Sequence, residues 1–222
     1  MKSLIILLIC IGNILNINAQ NWKQDFTLVN KTLNSAQNFQ TVITTKMYGS
    51  DNKVKTQKSV IVKKKNKDFL YELDDLTILI NSKHIITVDK NDKSITYNEN
   101  NSQAGQLNSV SDQLDDVLDD IESIKFRSGE NGIKIYTMDV DDDLYDKVEI
   151  HINMEKAMYS KIIYYYKSSE EHNLVKAVIE FQKTDVQTVL PEDTFLESKY
   201  VSISQGHIRP GVAYRQYSIN AE

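Results

Sequence analysis

The hydrophobic period of this chain changes three times, and that pattern most constrains its fold. Trp22, Phe26, Val29, Leu33 and Ala36 recur at spacings of four, three, four and three, which is one face of a helix. From Phe39 the helical period is lost. Phe39–Tyr48, Thr56–Lys64, Phe69–Leu73, Thr77–Asn81, His84–Asp89 and Ser94–Tyr97 read as strands. Turn residues separate them at Gly49–Asn52, Asn66–Asp68, Asn81–Lys83 and Asp89–Lys93. Helical spacing then returns once. Leu107, Val110, Leu114, Val117, Leu118 and Ile121 fall within an arc of about 100°, and Asp112, Asp115, Asp116, Asp119, Asp120 and Glu122 fill the remaining surface.

Strands resume at Ile124–Ser128, Ile133–Asp139, Lys147–Ile152, Tyr159–Lys167 and Leu174–Thr184, followed by Tyr200–Ile203 and Tyr214–Ile219. The expected class is α+β. One large antiparallel sheet curls into an incomplete β-barrel of about eleven strands, and a helical lid covers its concave face.

The first residues read as a leader outside that fold. Lys2 precedes an apolar run, Leu4–Ile11, then a polar stretch and the small residue Ala19. This is the layout of a secretory signal peptide over residues 1–19, cleaved near Ala19, and the run is too short to span a bilayer. Residues 20–222 are then expected to form a single domain. The one Cys, Cys10, lies in the leader. Bulky Ile9 stands where a lipidation signal needs a small residue, so the exported chain is expected to carry no thiol chemistry.

Charge and motifs narrow the function. The net charge is −5 and no basic stripe is present, which argues against nucleic acid. Lys63–Lys65 reads as a solvated hairpin end. Asp139, Asp141 and Asp143 mimic the start of a calcium loop, but Leu144 and Ile150 occupy the positions that need Gly and Glu, so a hairpin tip is the expectation. His84, His151, His172 and His207 show no metal-ligand spacing, and no nucleophile elbow, phosphate loop or dinucleotide fingerprint occurs. No metal, cofactor or enzymatic activity is expected.

The order of elements resembles the LolA/LolB-like lipoprotein-carrier family. The likeness begins at Leu33–Gln40, a helix exit into a first strand. It continues through Ser59–Lys64, Asp68–Glu72, Thr77–Asn81, His84–Asp89 and Ser94–Tyr97. Asn81-Ser82 stands where the family has an Asp-Gly turn. The Arg that holds the family's lid has no counterpart among Phe69, Leu70 and Tyr71. The resemblance implies a periplasmic carrier or binder of lipid-like cargo, lipoprotein acyl chains above all, with inner- and outer-membrane envelope proteins as further partners. Its concave face would be lined by Phe69, Tyr71, Ile78, Ile80 and Ile86 from strands and by Leu114, Val117 and Leu118 from the lid. The alternative is an envelope-sensing or protein-interaction module that binds a partner through a sheet edge or through the strand that holds Tyr164, Tyr165 and Tyr166. A hydrolase would require a polar cluster with perturbed pKa values inside the concavity.

Overall fold

A computed structural model describes residues 22–100, 121–167 and 173–221. It contains helix α1 (Trp22–Ser35) and strands β1 (Asn38–Gly49), β2 (Val54–Lys65), β3 (Asp68–Glu72), β4 (Leu76–Ile80), β5 (His84–Asp89) and β6 (Ser94–Glu99). After residue 120 come β7 (Ile121–Ser128), β8 (Ile133–Val140), β9 (Tyr145–Asn153), β10 (Met158–Tyr166) and β11 (Leu174–Asp185). Then follow β12 (Val201–Ser204), β13 (His207–Pro210) and β14 (Ser218–Ala221). Short 3-10 turns occupy Glu192–Phe195, Glu197–Lys199 and Val212–Tyr214.

Hydrogen bonding links twelve strands in the order β14-β6-β5-β4-β3-β2-β1-β11-β10-β9-β8-β7, while β12 and β13 form a separate hairpin. The order has two ends, so the sheet is not closed into a barrel. β14 runs parallel to β6, unlike the antiparallel ladders β2–β6 and β7–β10. The expected lid helix, including Leu114, Val117 and Leu118, lies outside the described residues. Ile121, read as its last apolar position, opens β7 instead and pairs with Val140.

The chain divides into two compact units. The first comprises α1, the turn between β1 and β2, and most of β7–β11. Its strands alternate over much of their length, with Ile135 beside Tyr136 and Met158 beside Tyr159 also buried. Tyr136, Met138, Val148, Ile150, Ile152 and Ile162 have no exposed surface. The registers Tyr136↔Ile150 and Met138↔Val148 place them on one face, since residues paired across a ladder share a face. Helix α1 packs on this face. Phe26 meets Tyr136 and Tyr159 edge-on, with ring centroids 5.6 and 6.3 Å apart. Val29 is wholly buried, and Trp22 leans on Phe26 at 5.6 Å.

One buried residue on α1 is charged. Asp25 accepts hydrogen bonds from Lys134 Nζ at 2.7 Å and from the Tyr136 hydroxyl. Burial first, then the bond and charge of Asp25, pushes the Tyr136 phenol well above its ordinary value.

The opposite face of this unit is polar. Arg127 and His151 both reach Glu149, Ser123 and Lys125 reach Asp139, and the Lys147 ammonium lies 3.9 Å over the Tyr165 ring. The acidic run behaves as a hairpin tip. Asp142 accepts from the backbone N–H groups of Leu144 and Tyr145, which turns the chain into β9.

The second unit holds most of β1 and β2, all of β3–β6, and residues 180–222. Its lysine run is not a solvated hairpin end. Lys63 pairs with Glu72 at 2.5 Å, and the half-buried Lys64 donates to the Ala36 carbonyl at 3.0 Å. Desolvation holds the Lys64 ammonium below its ordinary pKa. The core of this unit is built from Leu70, Leu79, Ile86, Val88, Ile95 and Tyr97 on one sheet face. Tyr200 and Val201 cover them, with Phe195, Ile208, Tyr214, Tyr217 and Ile219 around the edge.

Candidate functional site: an apolar face of the β2–β6 ladder

The registers Val62↔Tyr71 and Lys64↔Phe69, then Phe69↔Ile80 and Tyr71↔Ile78, put these side chains on one face of the second unit. The next ladder adds Ile85 opposite Ile80 and Thr87 opposite Ile78. Thr96 and Asn98 complete the row on β6. This is the face away from the core of that unit. It is apolar across three strands, yet Phe69, Tyr71, Ile78 and Ile85 are only half-buried, while Val62 and Ile80 are buried. Phe69 and Tyr71, two apart on β3, hold their rings nearly parallel with centroids 6.2 Å apart. Desolvation pushes the Tyr71 phenol up. At the β6 end, Asn98 Oδ1 is buried with no hydrogen-bond partner among the described residues.

Four of the five expected strand residues therefore come together: Phe69, Tyr71, Ile78 and Ile80. Ile86 does not join them. It pairs with Leu79 and Tyr97, is 1% exposed, and belongs to the core on the opposite face. The reason is the turn. Asn81 and His84 close β4 and β5 around a two-residue loop, the Asn81 N–H bonding the His84 carbonyl. Even-numbered residues of β4 therefore face odd-numbered ones of β5. Val62 and Ile85 join the face without having been singled out in the sequence. The parity of that two-residue loop was the signal for Ile85.

The titratable clusters lie elsewhere. Glu197 Oε1 accepts from Asn81 Nδ2 at 2.6 Å and bonds His84 Nδ1 at 2.8 Å, with the Tyr97 hydroxyl 3.5 Å from Oε2. Burial works against the Glu197 carboxylate, but these bonds and the His84 charge outweigh it and hold its pKa below the ordinary value. His84 shares the core face with Ile86, so this cluster pins the 197–199 turn to that side of the ladder. Glu149 is held low in the same way by His151 and Arg127, against its own desolvation, on the polar face of the first unit. Among the described residues no group of three His, Cys, Asp or Glu side chains stands close enough to share a metal ion. Among the described residues, a shallow depression beside α1 is lined by Lys23, Gln24, Thr27, Leu28 and Lys31. The chemistry available at the apolar face is dispersion and hydrophobic burial, with Lys64 at one end and an amide at the other.

No protein-family model and no curated protein sequence matches the chain. Solved structures do. An uncharacterized conserved protein from Thermus thermophilus aligns over 90% of this chain and 98% of its own, with a TM-score of 0.51 and 8% identity, a likeness of fold. A LolA superfamily protein from Nitrosomonas europaea aligns over 82% of this chain and 98% of its own, with a TM-score of 0.36 and 11% identity. The Mycobacterium tuberculosis lipoprotein LppX aligns over 75% of this chain and 96% of its own, with a TM-score of 0.42 and 10% identity.

Proposed function

We propose that the protein is a periplasmic, non-enzymatic binder or carrier of lipid-like cargo, with acyl chains held against the β2–β6 apolar face. One observation carries this reading. Phe69, Tyr71, Ile78 and Ile85 form a contiguous apolar surface in one register and remain half-buried, whereas the opposite face of the same strands is sealed by residues 195–219. Burying a methylene is worth about 0.8 kcal/mol, so full burial of a 16-carbon chain supplies about 13 kcal/mol before the cost of ordering it. That is enough for stable binding without any covalent step.

The alternative through the tyrosine strand has less support. β10 is hydrogen-bonded on both sides, by β9 and β11. Tyr164 is buried, and Tyr165 lies under Lys147.

Native mass spectrometry of the chain purified from its own envelope, followed by lipid extraction, tests the proposal. Near-stoichiometric acyl species are expected, and Ile78→Asp should abolish them. A bare protein mass with no uptake of added fatty acid or lipoprotein would refute it.

A further inference from the structure

Residues 198–221 contain Lys199, Arg209 and Arg215 and not one Asp or Glu, in a chain whose net charge is −5. Two of the chain's three arginines are here. Arg209 and Arg215 are exposed and form no ion pair with a described residue. The nearest acids upstream are already engaged: Asp193 with Lys199 at 2.8 Å, and Glu197 with His84 and Asn81. Glu222 follows directly, so residues 198–222 carry three basic side chains against one acidic one, a basic excess in an acidic protein.

It also presents apolar side chains. Strands β12 and β13 form a hairpin whose two loop residues, Gln205 and Gly206, both have positive φ, the mark of a tight type I′ turn. Val201↔Pro210 and Ile203↔Ile208 define its apolar face, and Ser202↔Arg209 with Ser204↔His207 the polar one. The apolar face runs off the end of the core. Val201 is 2% exposed, but Ile203, two residues nearer the tip, is 55% exposed. Val212, in the 3-10 turn that follows, is 76% exposed.

The hairpin and that turn are joined stiffly. The Gly211 N–H bonds the Tyr200 carbonyl at 2.7 Å, and a Cβ at Gly211 would stand 2.6 Å from the Lys199 carbonyl oxygen. Tyr200 stacks on Tyr214 with centroids 6.0 Å apart, and Tyr217 meets Tyr214 edge-on at 5.1 Å.

We infer that this basic, apolar-tipped segment is a docking surface for an anionic lipid bilayer. Exposed arginines carried on the same short segment as projecting Ile and Val, with Arg209 on the hairpin face opposite Ile203, match a partner with a negatively charged layer over an apolar interior, and a bilayer interface has that profile. A soluble acidic protein would satisfy the arginines but would leave Ile203 and Val212 in water. The rigid hairpin presents these groups without further ordering, which reduces the entropy lost on contact. The surface lies on the core side of the ladder, away from the proposed cargo face, so the two properties are separately measurable.

The test is flotation of the chain from Gln20, which retains every described element, with phosphatidylcholine vesicles made with and without phosphatidylglycerol. Binding is expected only with phosphatidylglycerol and is expected to weaken as salt rises. Each basic residue at an anionic surface contributes about a fivefold change in partitioning, so Arg209→Gln with Arg215→Gln should lower it about 25-fold. Ile203→Ser should lower it about tenfold. All three positions are exposed, and circular dichroism of each variant verifies the fold. Absence of binding to phosphatidylglycerol vesicles at low salt, or binding untouched by either set of substitutions, would overturn the inference. So would capture of polyglutamate in place of vesicles, which would assign the patch to an acidic protein.

Discussion

Replacing Asp25 with Ala should loosen α1, and its cost can be worked from the three side chains involved. Asp25 is 6% exposed and Tyr136 is fully buried, so the phenol hydroxyl would be left without its acceptor in a place water does not reach. An orphaned buried donor costs about 1–3 kcal/mol. Lys134 loses the same partner, but its side chain is 32% exposed and the ammonium can turn to solvent. Its share is accordingly no more than about 1 kcal/mol. The total is about 3 kcal/mol. With a urea slope of about 2–3 kcal/mol/M, that moves the midpoint by about 1 M. Trp22 is the single tryptophan and sits at the start of α1, so its fluorescence reads the helix directly. Tyr136→Phe completes a double-mutant cycle, and the coupling should be at least about 1 kcal/mol. A loss below that size for Asp25→Ala, or strict additivity with Tyr136→Phe, would mean that the buried carboxylate does not hold the helix.

Four further outcomes are expected. Burial pushes Tyr164 and Tyr200 up to about 12. Both should stay protonated in an ultraviolet titration through pH 10 and be released only on unfolding; their stabilising effect is complete below pH 10 and declines as pH rises toward 12. Glu197, held below its ordinary 4.5, stabilises above that value and loses its effect as pH falls through the lower folded value. Protection of the amides of residues 195–219, taken relative to their intrinsic exchange rates, should therefore be lower at pH 3 than at pH 6, and Glu197→Gln should show that lower protection already at pH 6. Gly211→Ala meets backbone at 2.6 Å and should cost about 2 kcal/mol in urea unfolding, whereas Gly206→Ala, at φ +76 with open space around it, should cost about 1 kcal/mol. Ile86→Ala should destabilise by about 3 kcal/mol and leave acyl uptake by the folded protein intact; Ile78→Ala should do the reverse, weakening uptake about tenfold with little loss of stability.

Strands were legible wherever β-branched residues alternated between turn clusters, and β1–β11 fall close to the runs read from Phe39 to Thr184. Faces were harder to read. Ile86 resembles Ile80 in composition and spacing, and only the parity of the Asn81–His84 hairpin separates them. Asp25 sits three residues after Trp22 and four before Val29, squarely on the helix stripe. A pattern built on apolar residues passes over a buried carboxylate whose partners lie on β8. The stretch from 190 onward defeated periodicity for another reason. Its 3-10 turns repeat too briefly to set a period, and β14 is four residues long and pairs in parallel with a strand far upstream. The run Tyr214–Ile219, read as one strand, divides there into a turn and the start of β14.

That parallel pairing bears on how the protein folds. β5 and β6 meet through a tight hairpin, and such elements form within microseconds. β14 reaches β6 only after the ladder and the covering segment have been placed, Ser218 settling beside Ser94. Contacts of such long sequence separation form late. Until then β6, carrying Ile95 and Tyr97, is an open edge that can template pairing with another chain. The short final strand is therefore a guard against self-association during folding. The misassembly to expect when it fails is a swapped dimer, in which β14 of one copy lies along β6 of another.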